Sequence, residues 1–411
     1  MNKLHIFFID EQNSSRQNGI GTYRDILLSR LKSDPEIEPT LLTLNADCDN
    51  IEVAEHEFGI EYRIPKIANG NWRQNGKIIW PMLRLYIEDS PRNIFIFNHS
   101  PAAEFIIDLQ SLFPSSRTVF VIHNQGWCAP LWGDSKLLIA IEQGKFPAGI
   151  SESTAKSISK YCEAERAIYK AVDRVVCLSE STHSHLINIY GVDDKKIHLI
   201  HNGFYRNYRR KISKDTARKQ LGLYPDEELL LFVGRPTTIK GIIPLMKAIS
   251  ILRSNHPKLR LALIGQAKGF LNYWDIGHKI APNLIIVGHI DHDTLRQWYS
   301  AADVGIMASY SEQCSYAALE MMNMNLSIVS SDGNGLRNMF SHKVNAYIAH
   351  IGNVLNVNKY ATQLAEKIDM ALKASNAEKE AMKSAAIQLL RTKYSPDIMT
   401  KQYIELFHSL I

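Results

Sequence analysis

Short apolar runs alternate with amphipathic stretches of helical spacing along the whole chain. Apolar runs of this length, each followed by a helix, are typical of parallel strands that are buried on both faces of a sheet. In the first half the pattern predicts strands at residues 4–9, 39–44, 93–98, 117–122, 174–178 and 197–201. It predicts helices at residues 21–33, 101–112, 152–171 and 180–190. The first half is therefore expected to be an α/β domain.

The same alternation begins again near residue 229 and ends in a run of helices. The predicted strands cover residues 229–234, 259–265, 283–288, 304–309 and 326–331. Predicted helices start at Gly241 and Ser315 and cover residues 293–302, 359–374, 377–393 and 397–410, with Pro396 interrupting the last pair. The predicted fold class is α/β, with two doubly wound, Rossmann-like domains.

A change in composition separates the two halves. Between Phe204 and Lys219 a single acidic residue, Asp215, opposes a basic set made of Arg206, Arg209, Arg210, Lys211, Lys214, Arg218 and Lys219. We expect an N-terminal domain over residues 1–205, a linker over 206–225 and a C-terminal domain over 226–394, with the last helix, 395–411, crossing back to the first domain. The linker is either a solvated connector or a segment attracted to an anionic membrane face or a polyanionic acceptor.

Composition narrows the functional classes. The chain has 411 residues, of which 45% are hydrophobic and 22% are charged, as expected for two globular cores. A net charge of +5 is too dilute to indicate nucleic acid as a partner. The sequence shows no apolar run of about 18 residues and no signal peptide, so we expect a cytoplasmic protein, with peripheral contact to the inner membrane face as an extension of that expectation.

Cysteines and histidines do not form a metal-binding pattern. The five cysteines are scattered without a C-x-x-C motif, which is typical of reduced thiols. His183 and His185 are two residues apart on a predicted helix, where their side chains diverge. We therefore expect no metal site.

The residues that follow the strands are the first candidates for a site, because ligands of open α/β sheets bind beyond the carboxyl ends of the strands. Gly19 and Gly21 open the first predicted helix, where they would let a phosphate or a sugar approach the backbone. Arg24 stands where the dinucleotide fingerprint requires a third glycine. The alternatives are a ligand loop and a glycine-assisted turn.

His123 ends a predicted strand and opens a long segment that carries Trp127 and Trp132. Aromatic side chains on such a loop can stack on sugar faces, with the imidazole at a cleft between the domains. The alternative is a buried histidine with two tryptophans packed as core residues. The residues alone leave both readings open.

Two cations and two carboxylates follow strands of the second half. Arg235 and Lys240 lie at the start of a predicted helix, which suits a diphosphate whose charge must be neutralised. Glu312 and Glu320 are eight residues apart, so they would reach two ends of one elongated ligand roughly 10 Å apart. Glu320 sits in an apolar helix, where a carboxylate without a partner is costly.

The backbone amides near the start of that helix are a further candidate. They belong to Cys314, Ser315 and Tyr316, and a helix N-terminus attracts phosphate. The competing interpretation of the whole group is a set of solvated surface residues.

Taken together, these segments resemble the retaining glycosyltransferases of family 4. NGIGTY is similar to that family's glycine loop, AVDRVVCLSESTHSHLINIYGVDDKKIHLIHNGF to the segment that ends in NG, and LLLFVGRPTTIKGI to its GR…KG segment. SEQCSYAALEMM matches its motif of two glutamates separated by seven residues, and SSDGNGLRNMF replaces the usual following segment. The resemblance covers most of the chain and implies the GT-B fold, in which two Rossmann-like domains face a central cleft.

The resemblance also implies roles for the matching residues. Arg235 and Lys240 would bind the donor diphosphate, Glu320 the ribose hydroxyls and Glu312 the transferred sugar. His123 would stabilise the sugar and the transition state, and the glycine loop would lie near phosphate and acceptor. Asn124, where many members carry Asp, and Arg337, in place of the usual glutamate, depart from the pattern.

The function implied is transfer of a hexosyl group from a nucleotide-diphosphate sugar, UDP- or GDP-linked, to an acceptor hydroxyl with retention of configuration. The acceptor would be a saccharide, a lipid carrier or a peptide, and no metal or separate cofactor is expected. A sugar-nucleotide epimerase or hydrolase on the same fold, a non-catalytic sugar-nucleotide-binding protein and a dinucleotide oxidoreductase are the alternatives.

Overall fold

The computed structural model describes residues 3–12, 19–67, 71–205 and 212–411, apart from the side chain of His56. The chain divides into two compact units. Unit 1 combines Met1–Trp127, Leu138–Gly203 and Ser395–Ile411, and unit 2 combines Cys128–Leu137 and Phe204–Tyr394. Residues 128–137 thus belong to unit 2, although the sequence predicts them in the first domain, because Trp132 and Leu137 pack against the apolar core of unit 2.

Unit 1 contains a largely parallel sheet. Its strands are β1 (Leu4–Glu11), β2 (Ile37–Ala46), β3 (Glu52–His56), β4 (Gly59–Pro65), β5 (Asn93–Phe97), β6 (Arg117–Ile122), β7 (Arg174–Cys177) and β8 (Ile197–Leu199). In the described part of the chain, these eight strands are ordered β3-β4-β2-β1-β5-β6-β7-β8, and β3 and β4 form an antiparallel hairpin at one edge. The central strands are buried from end to end, which explains their continuous apolar runs.

Helices cover this sheet, and several begin at a serine that caps them. They are α1 (Gly19–Leu31), α2 (Gly76–Arg84), α3 (Ala103–Leu112), α4 (Ser135–Glu142), α5 (Glu152–Ala171) and α6 (Glu180–Asn188). The hydroxyls of Ser151 and Ser179 accept hydrogen bonds from the backbone amides of Thr154 and Thr182, which fixes the starts of α5 and α6. The described part of the chain also has short 3₁₀ helices at Trp72–Gln74, Asp194–Lys196, Thr238–Lys240 and His278–Asn283.

Unit 2 repeats the architecture with a parallel sheet. Its strands are β9 (Glu228–Val233), β10 (Leu259–Ile264), β11 (Leu284–Gly288), β12 (Val304–Met307), β13 (Ser327–Ser331) and β14 (Tyr347–Ala349). Its helices are α7 (Lys214–Gln220), α8 (Ile242–Leu252), α9 (Ala267–Leu271), α10 (Trp274–Gly277), α11 (His292–Ala301), α12 (Tyr316–Asn323), α13 (Leu336–Met339), α14 (Val357–Lys373) and α15 (Asn376–Lys393). Among the described residues the strand order is β11-β10-β9-β12-β13-β14. Helix α8 is buried on most of its surface and packs against α14 in the core.

The predicted linker is largely part of unit 2. Residues 206–211, which include Arg206, Arg209, Arg210 and Lys211, lie outside the described residues. The remainder folds as α7, and Arg218 is buried, with its guanidinium donating to the carbonyl of Ala301 and to the carboxylate of Asp303 at 3.0 and 2.8 Å. Arg218 therefore docks α7 instead of lying in solvent, whereas Lys214 and Lys219 on the same helix are exposed.

The last helix, α16 (Pro396–His408), belongs to unit 1. Ser395 caps it by accepting a hydrogen bond from the amide of Ile398, and Pro396 occupies the first turn, where a missing amide hydrogen costs nothing. Tyr403 and Phe407 are buried. The expected return of the terminal helix to the N-terminal half is confirmed.

The predicted fold class is also confirmed: both units are α/β with parallel sheets. Every predicted strand forms, and its ends differ from the expected ones by at most two residues. The predictions do not include the β3–β4 hairpin, β14 and the helices α2, α4, α7, α9, α10 and α13. Helix α2 escapes the pattern because Pro81 lies inside it, and Trp80 secures it by donating its indole hydrogen to the carbonyl of Phe105 at 2.7 Å.

A buried histidine ties three elements of unit 2 together. The Nδ1 atom of His256 lies 2.8 Å from a Glu228 oxygen at the start of β9, and its Nε2 atom lies 2.8 Å from an Asp369 oxygen on α14. Lys373 also contacts Asp369 at 2.8 Å. Burial by itself lowers the pKa of His256, but the hydrogen bonds to Asp369 and Glu228 outweigh it and raise the pKa above the ordinary value.

We therefore predict that His256 stabilises unit 2 most below pH 6.5, its ordinary pKa, and that the contribution is lost as the pH rises through the raised value. His256→Gln, which cannot be charged, should cost about 2 kcal/mol at pH 6 and clearly less at pH 9. Thermal unfolding at both pH values measures the difference, with the exposed His278→Gln as the control. An equal cost at pH 6 and pH 9 would contradict the assignment.

Candidate functional site

The candidate residues of unit 2 meet at one edge of its sheet. The loops after β9, β12 and β13 leave the carboxyl ends of neighbouring strands, and backbone hydrogen bonds join them. The amide of Tyr310 donates to the carbonyl of Ile239 at 2.8 Å, and the amide of Glu312 donates to the carbonyl of Asn334 at 2.9 Å. The three loops therefore form one bonded platform.

Glycines allow these loops to approach so closely. Gly241 has a φ of 70°, and a Cβ atom there would lie 1.9 Å from the carbonyl oxygen of Ala308. Gly335 has a φ of 73°, and a Cβ there would lie 2.3 Å from the carbonyl oxygen of Glu312. The backbone conformation and the lack of space both require glycine at these two positions.

Lys240 and Glu312 form an ion pair on this platform. The Lys240 Nζ atom lies 2.6 and 2.7 Å from the two Glu312 carboxylate oxygens, and the Ser309 hydroxyl donates to the same carboxylate at 2.7 Å. The Glu312 side chain is only 9% exposed, whereas Lys240 is 25% exposed. The pair is thus held by the protein on one side and open on the other.

Glu320 lies in the second turn of α12 and is half-buried. Its Oε2 atom accepts a hydrogen bond from the hydroxyl of Tyr299, on α11, at 2.7 Å. This bond explains how an otherwise apolar helix carries a carboxylate. No sequence pattern predicts the contact of Tyr299 with Glu320, 21 residues away, or that of Ser309 with Glu312, three residues away.

The start of α12 differs from that of α11. Asp291 caps α11 by accepting a hydrogen bond from the amide of Thr294, whereas Ser315 makes no side-chain capping hydrogen bond to α12. The residues around this start, Cys314, Ser315 and Tyr316, are buried. The positive end of the α12 dipole therefore lies at the platform, and the Ser315 side chain does not cap it.

Arg235 is not brought into contact with the Lys240–Glu312 pair. It follows Gly234 on the loop after β9 and is exposed, and within the described ranges its guanidinium has no hydrogen bond or ion pair. Arg337, the departure noted in the sequence, is also exposed and donates to the carbonyl of Asp332 at 2.9 Å.

In unit 1, polar side chains lie at the end of β1 and directly after β5, at the carboxyl edge of the sheet. Asp10 is buried, and its partners include His99 at 2.8 Å and Arg24 at 2.6 Å. Asn98 donates from Nδ2 to the carbonyl of Ile9 at 3.4 Å, which turns its Oδ1 atom towards the end of β6.

His123 follows β6 at this edge. Its Nε2 atom lies 3.3 Å from Asn98 Oδ1, an acceptor, so the hydrogen resides on Nε2 and Nδ1 keeps its lone pair. The imidazole also packs against the ring of Tyr23, with centroids 4.8 Å apart. Burial and the neighbouring His99 lower the pKa of His123 to about 3, although Asp10 opposes the shift, so the ring is neutral at physiological pH.

The glycine loop and two tryptophans were also predicted as parts of a site. Gly19 and Gly21 form the first turn of α1, whereas Asn18 of the same motif lies outside the described residues. Trp127 is fully buried against His185, and Trp132 packs on the core of unit 2. The core interpretation therefore describes both tryptophans better than the stacking surface.

Two features are absent from the described part of the chain. No group of three or more His, Cys, Asp or Glu side chains in that part is arranged to hold a metal ion. None of its helices combines the length and the apolar character needed to cross a membrane.

Comparison with known structures shows the GT-B fold. Sucrose-phosphate synthase from Thermosynechococcus elongatus aligns with a TM-score of 0.72 at 19% identity, covering 99% of each chain. Anabaena HepE in complex with UDP-glucose aligns with a TM-score of 0.69 at 14% identity, covering 98% of this chain and 99% of its own. Likeness at this level of identity shows the fold.

Sequence comparison gives the family. The profile described as "Glycosyl transferases group 1" matches residues 213–388, and the one described as "Glycosyltransferase Family 4" matches residues 18–206. The chain belongs to this glycosyltransferase family, as the motif resemblance predicted. The D-inositol 3-phosphate glycosyltransferase 2 of Catenulispora acidiphila is 28% identical over 225 residues, 52% of each chain. The match spans about half the length of that curated relative.

The platform geometry yields a prediction for Gly241→Ala, with Gly222→Ala as a matched control. The two glycines have φ angles of 70° and 69°, but nothing lies within 4 Å of a Cβ at Gly222. Gly222→Ala should cost about 1 kcal/mol, the penalty of the left-handed conformation. Gly241→Ala should cost considerably more, because the Ala308 carbonyl is also held by the Tyr360 hydroxyl at 2.8 Å. Urea unfolding measures both, and equal costs would contradict the close approach.

Proposed function

We propose that this protein transfers a hexosyl group from a nucleotide-diphosphate sugar to an acceptor hydroxyl with retention of configuration. The observation that carries the proposal is the Lys240–Glu312 pair with Glu320 at the carboxyl edge of the unit 2 sheet. The family membership supports the reaction class, and the positions of these side chains support the roles given below.

Lys240 and Arg235 neutralise the donor diphosphate in this proposal. Lys240 is paired with Glu312 on its protein side and is partly exposed, so a phosphate oxygen can replace one of its carboxylate contacts. The amides at Cys314, Ser315 and Tyr316, at the positive end of α12, add to the same field. These groups stabilise the negative charge that develops as the diphosphate leaves.

The two glutamates accept hydrogen bonds from hydroxyl groups of the donor. Glu320, oriented by Tyr299, accepts hydrogen bonds from the ribose. Glu312 is held by Lys240 and Ser309 and accepts hydrogen bonds from the transferred sugar. Because each carboxylate already has a protein partner, its orientation is fixed before the donor binds, which lowers the entropy cost of binding.

The reaction takes place on one face of the sugar. The bond from the anomeric carbon to the leaving phosphate oxygen breaks, and the acceptor oxygen bonds to the same face through an oxocarbenium-like state. The acceptor proton passes to the leaving phosphate oxygen, so no protein acid is needed. A neutral His123 with a free Nδ1 lone pair suits a hydrogen-bond acceptor for the sugar and the transition state rather than a general acid.

The relatives suggest where to begin the search for substrates. HepE is described as a complex with UDP-glucose, and the Catenulispora relative is named for inositol 3-phosphate. We propose a UDP- or GDP-sugar as donor, and a saccharide, a lipid carrier or a peptide as acceptor, with Gly19 and Gly21 near it. Thermal shift with UDP-, GDP-, ADP- and dTDP-sugars identifies the donor, because a ligand at 100 times its Kd adds about 2.7 kcal/mol.

We predict that Lys240→Met and Glu320→Gln each lower the transfer rate about 10²- to 10³-fold. The measurement is product formation with the identified donor, and Lys258→Met, which removes an exposed lysine paired with Asp226, is the control. Because Lys240→Met leaves Glu312 without its cation, the double variant with Glu312→Gln separates lost folding from lost catalysis. Rates near wild type in folded Lys240→Met and Glu320→Gln would overturn the site.

A second prediction concerns the metal and the stereochemistry. Because the diphosphate is neutralised by side chains and helix amides, turnover should be unchanged in excess EDTA, and NMR of the first product should show the donor's anomeric configuration. Loss of turnover that Mn²⁺ restores would contradict the metal-independent mechanism, and an inverted product would contradict front-face transfer.

A further inference from the structure

The terminal helix reaches the neighbourhood of His123 through two buried tyrosines. The hydroxyl of Tyr23, on α1, donates to the hydroxyl oxygen of Tyr403, on α16, at 2.6 Å. Both residues are fully buried, although 380 positions separate them in the chain. The edge of the Tyr23 ring then contacts the His123 imidazole, with an interplanar angle of 66°.

Other contacts hold α16 in place. The amide of Gly203 donates to the Met399 sulfur at 3.1 Å, and a Cβ at Gly203 would lie 2.6 Å from Pro396 Cα. At the other end of the helix, the Arg117 guanidinium donates to the carbonyl of Leu410 at 3.1 Å. The position of Tyr403 is therefore set by contacts at both ends of the helix.

We propose that Tyr23 and Tyr403 are positioning residues for His123, such that the terminal helix fixes the ring against which the imidazole packs. The inference rests on the role proposed for His123. Asn98 restrains one ring nitrogen at 3.3 Å, a long hydrogen bond, so the aromatic contact supplies the second constraint on the plane of the imidazole. Loss of the Tyr403 hydroxyl removes one restraint on the Tyr23 ring and, through that ring, on the direction of the His123 Nδ1 lone pair.

The test is a kinetic comparison of Tyr403→Phe with the wild type. The expected result is a loss in kcat of about 10- to 100-fold, since a misplacement of about 1 Å has effects of this size. The donor KM should change less, because the residues proposed to bind the donor diphosphate and ribose lie in unit 2. The matched control is Tyr347→Phe, which removes another buried tyrosine hydroxyl, bonded to Glu378 at 2.7 Å between β14 and α15. Equal kcat values for Tyr403→Phe and Tyr347→Phe would overturn the proposal.

A spectroscopic measurement tests the contact without activity. In the wild type, the His123 ring signal, assigned by its loss in His123→Asn, should not titrate between pH 5 and 8. In Tyr23→Leu the His123 ring loses the packing that buries it, while His99 and Asp10 still face it. The pKa of His123 should therefore move towards its ordinary value and into that range. An unchanged signal in Tyr23→Leu would overturn the proposal.

The double variant Tyr23→Phe/Tyr403→Phe keeps the test valid if a single variant folds poorly. Removing both hydroxyls of a buried pair is less damaging to folding than removing one. Stability should therefore recover while kcat stays low, and recovery of both would overturn the proposal. If the wild type transfers sugar from none of the donors, the proposed function fails, whereas the ring titration still decides the Tyr23–His123 contact.

Discussion

The ion pair between Lys240 and Glu312 is the constraint on which the unit 2 site depends. The glutamate is nearly buried, and a buried carboxylate without a cation is strongly unfavourable, so the pair must form for the loops after β9 and β12 to close. The closure in turn needs glycine at 241, because the backbone of Ala308 occupies the space of a side chain. The Lys240–Glu312 pair, Gly241 and the hydrogen bonds of the platform therefore depend on one another.

The same pair explains how a binding site can be ready before its ligand arrives. Lys240 and Glu312 neutralise each other in the free protein, so neither charge is left without compensation. In the proposed function, an incoming diphosphate competes for the cation, and sugar hydroxyls replace that cation as partners of the carboxylate. The Ser309 hydroxyl, which donates to the carboxylate in the free protein, would then limit the reorganisation that binding requires.

At the carboxyl edge of the unit 1 sheet the candidate side chain, His123, is neutral, whereas the unit 2 site is built on an ion pair. The carboxylate of Asp10 there is paired with Arg24 and shares a hydrogen bond with His99, and the neighbouring His123 is kept neutral by burial and by His99. Its tautomer follows from Asn98, and its orientation follows from Asn98 and Tyr23 together. In the proposed function, a neutral, oriented imidazole offers a hydrogen bond without adding charge to a centre that becomes positive during the transfer.

The periodicity of the sequence determined most of the secondary structure and the fold class, because strands buried on both faces and amphipathic helices leave distinct local patterns. Motif spacing also singled out Arg235, Lys240, Glu312 and Glu320 without any contact being known. Only the tertiary structure decided which of them meet: Lys240 pairs with Glu312, whereas Arg235 stays exposed. The contacts of Tyr299, Ser309 and Tyr403 also became visible only in the tertiary structure. The same structure shows that Trp127 and Trp132 are packing residues. Apart from the Ser309–Glu312 hydrogen bond, these outcomes depend on contacts between segments tens to hundreds of residues apart, which local patterns do not encode.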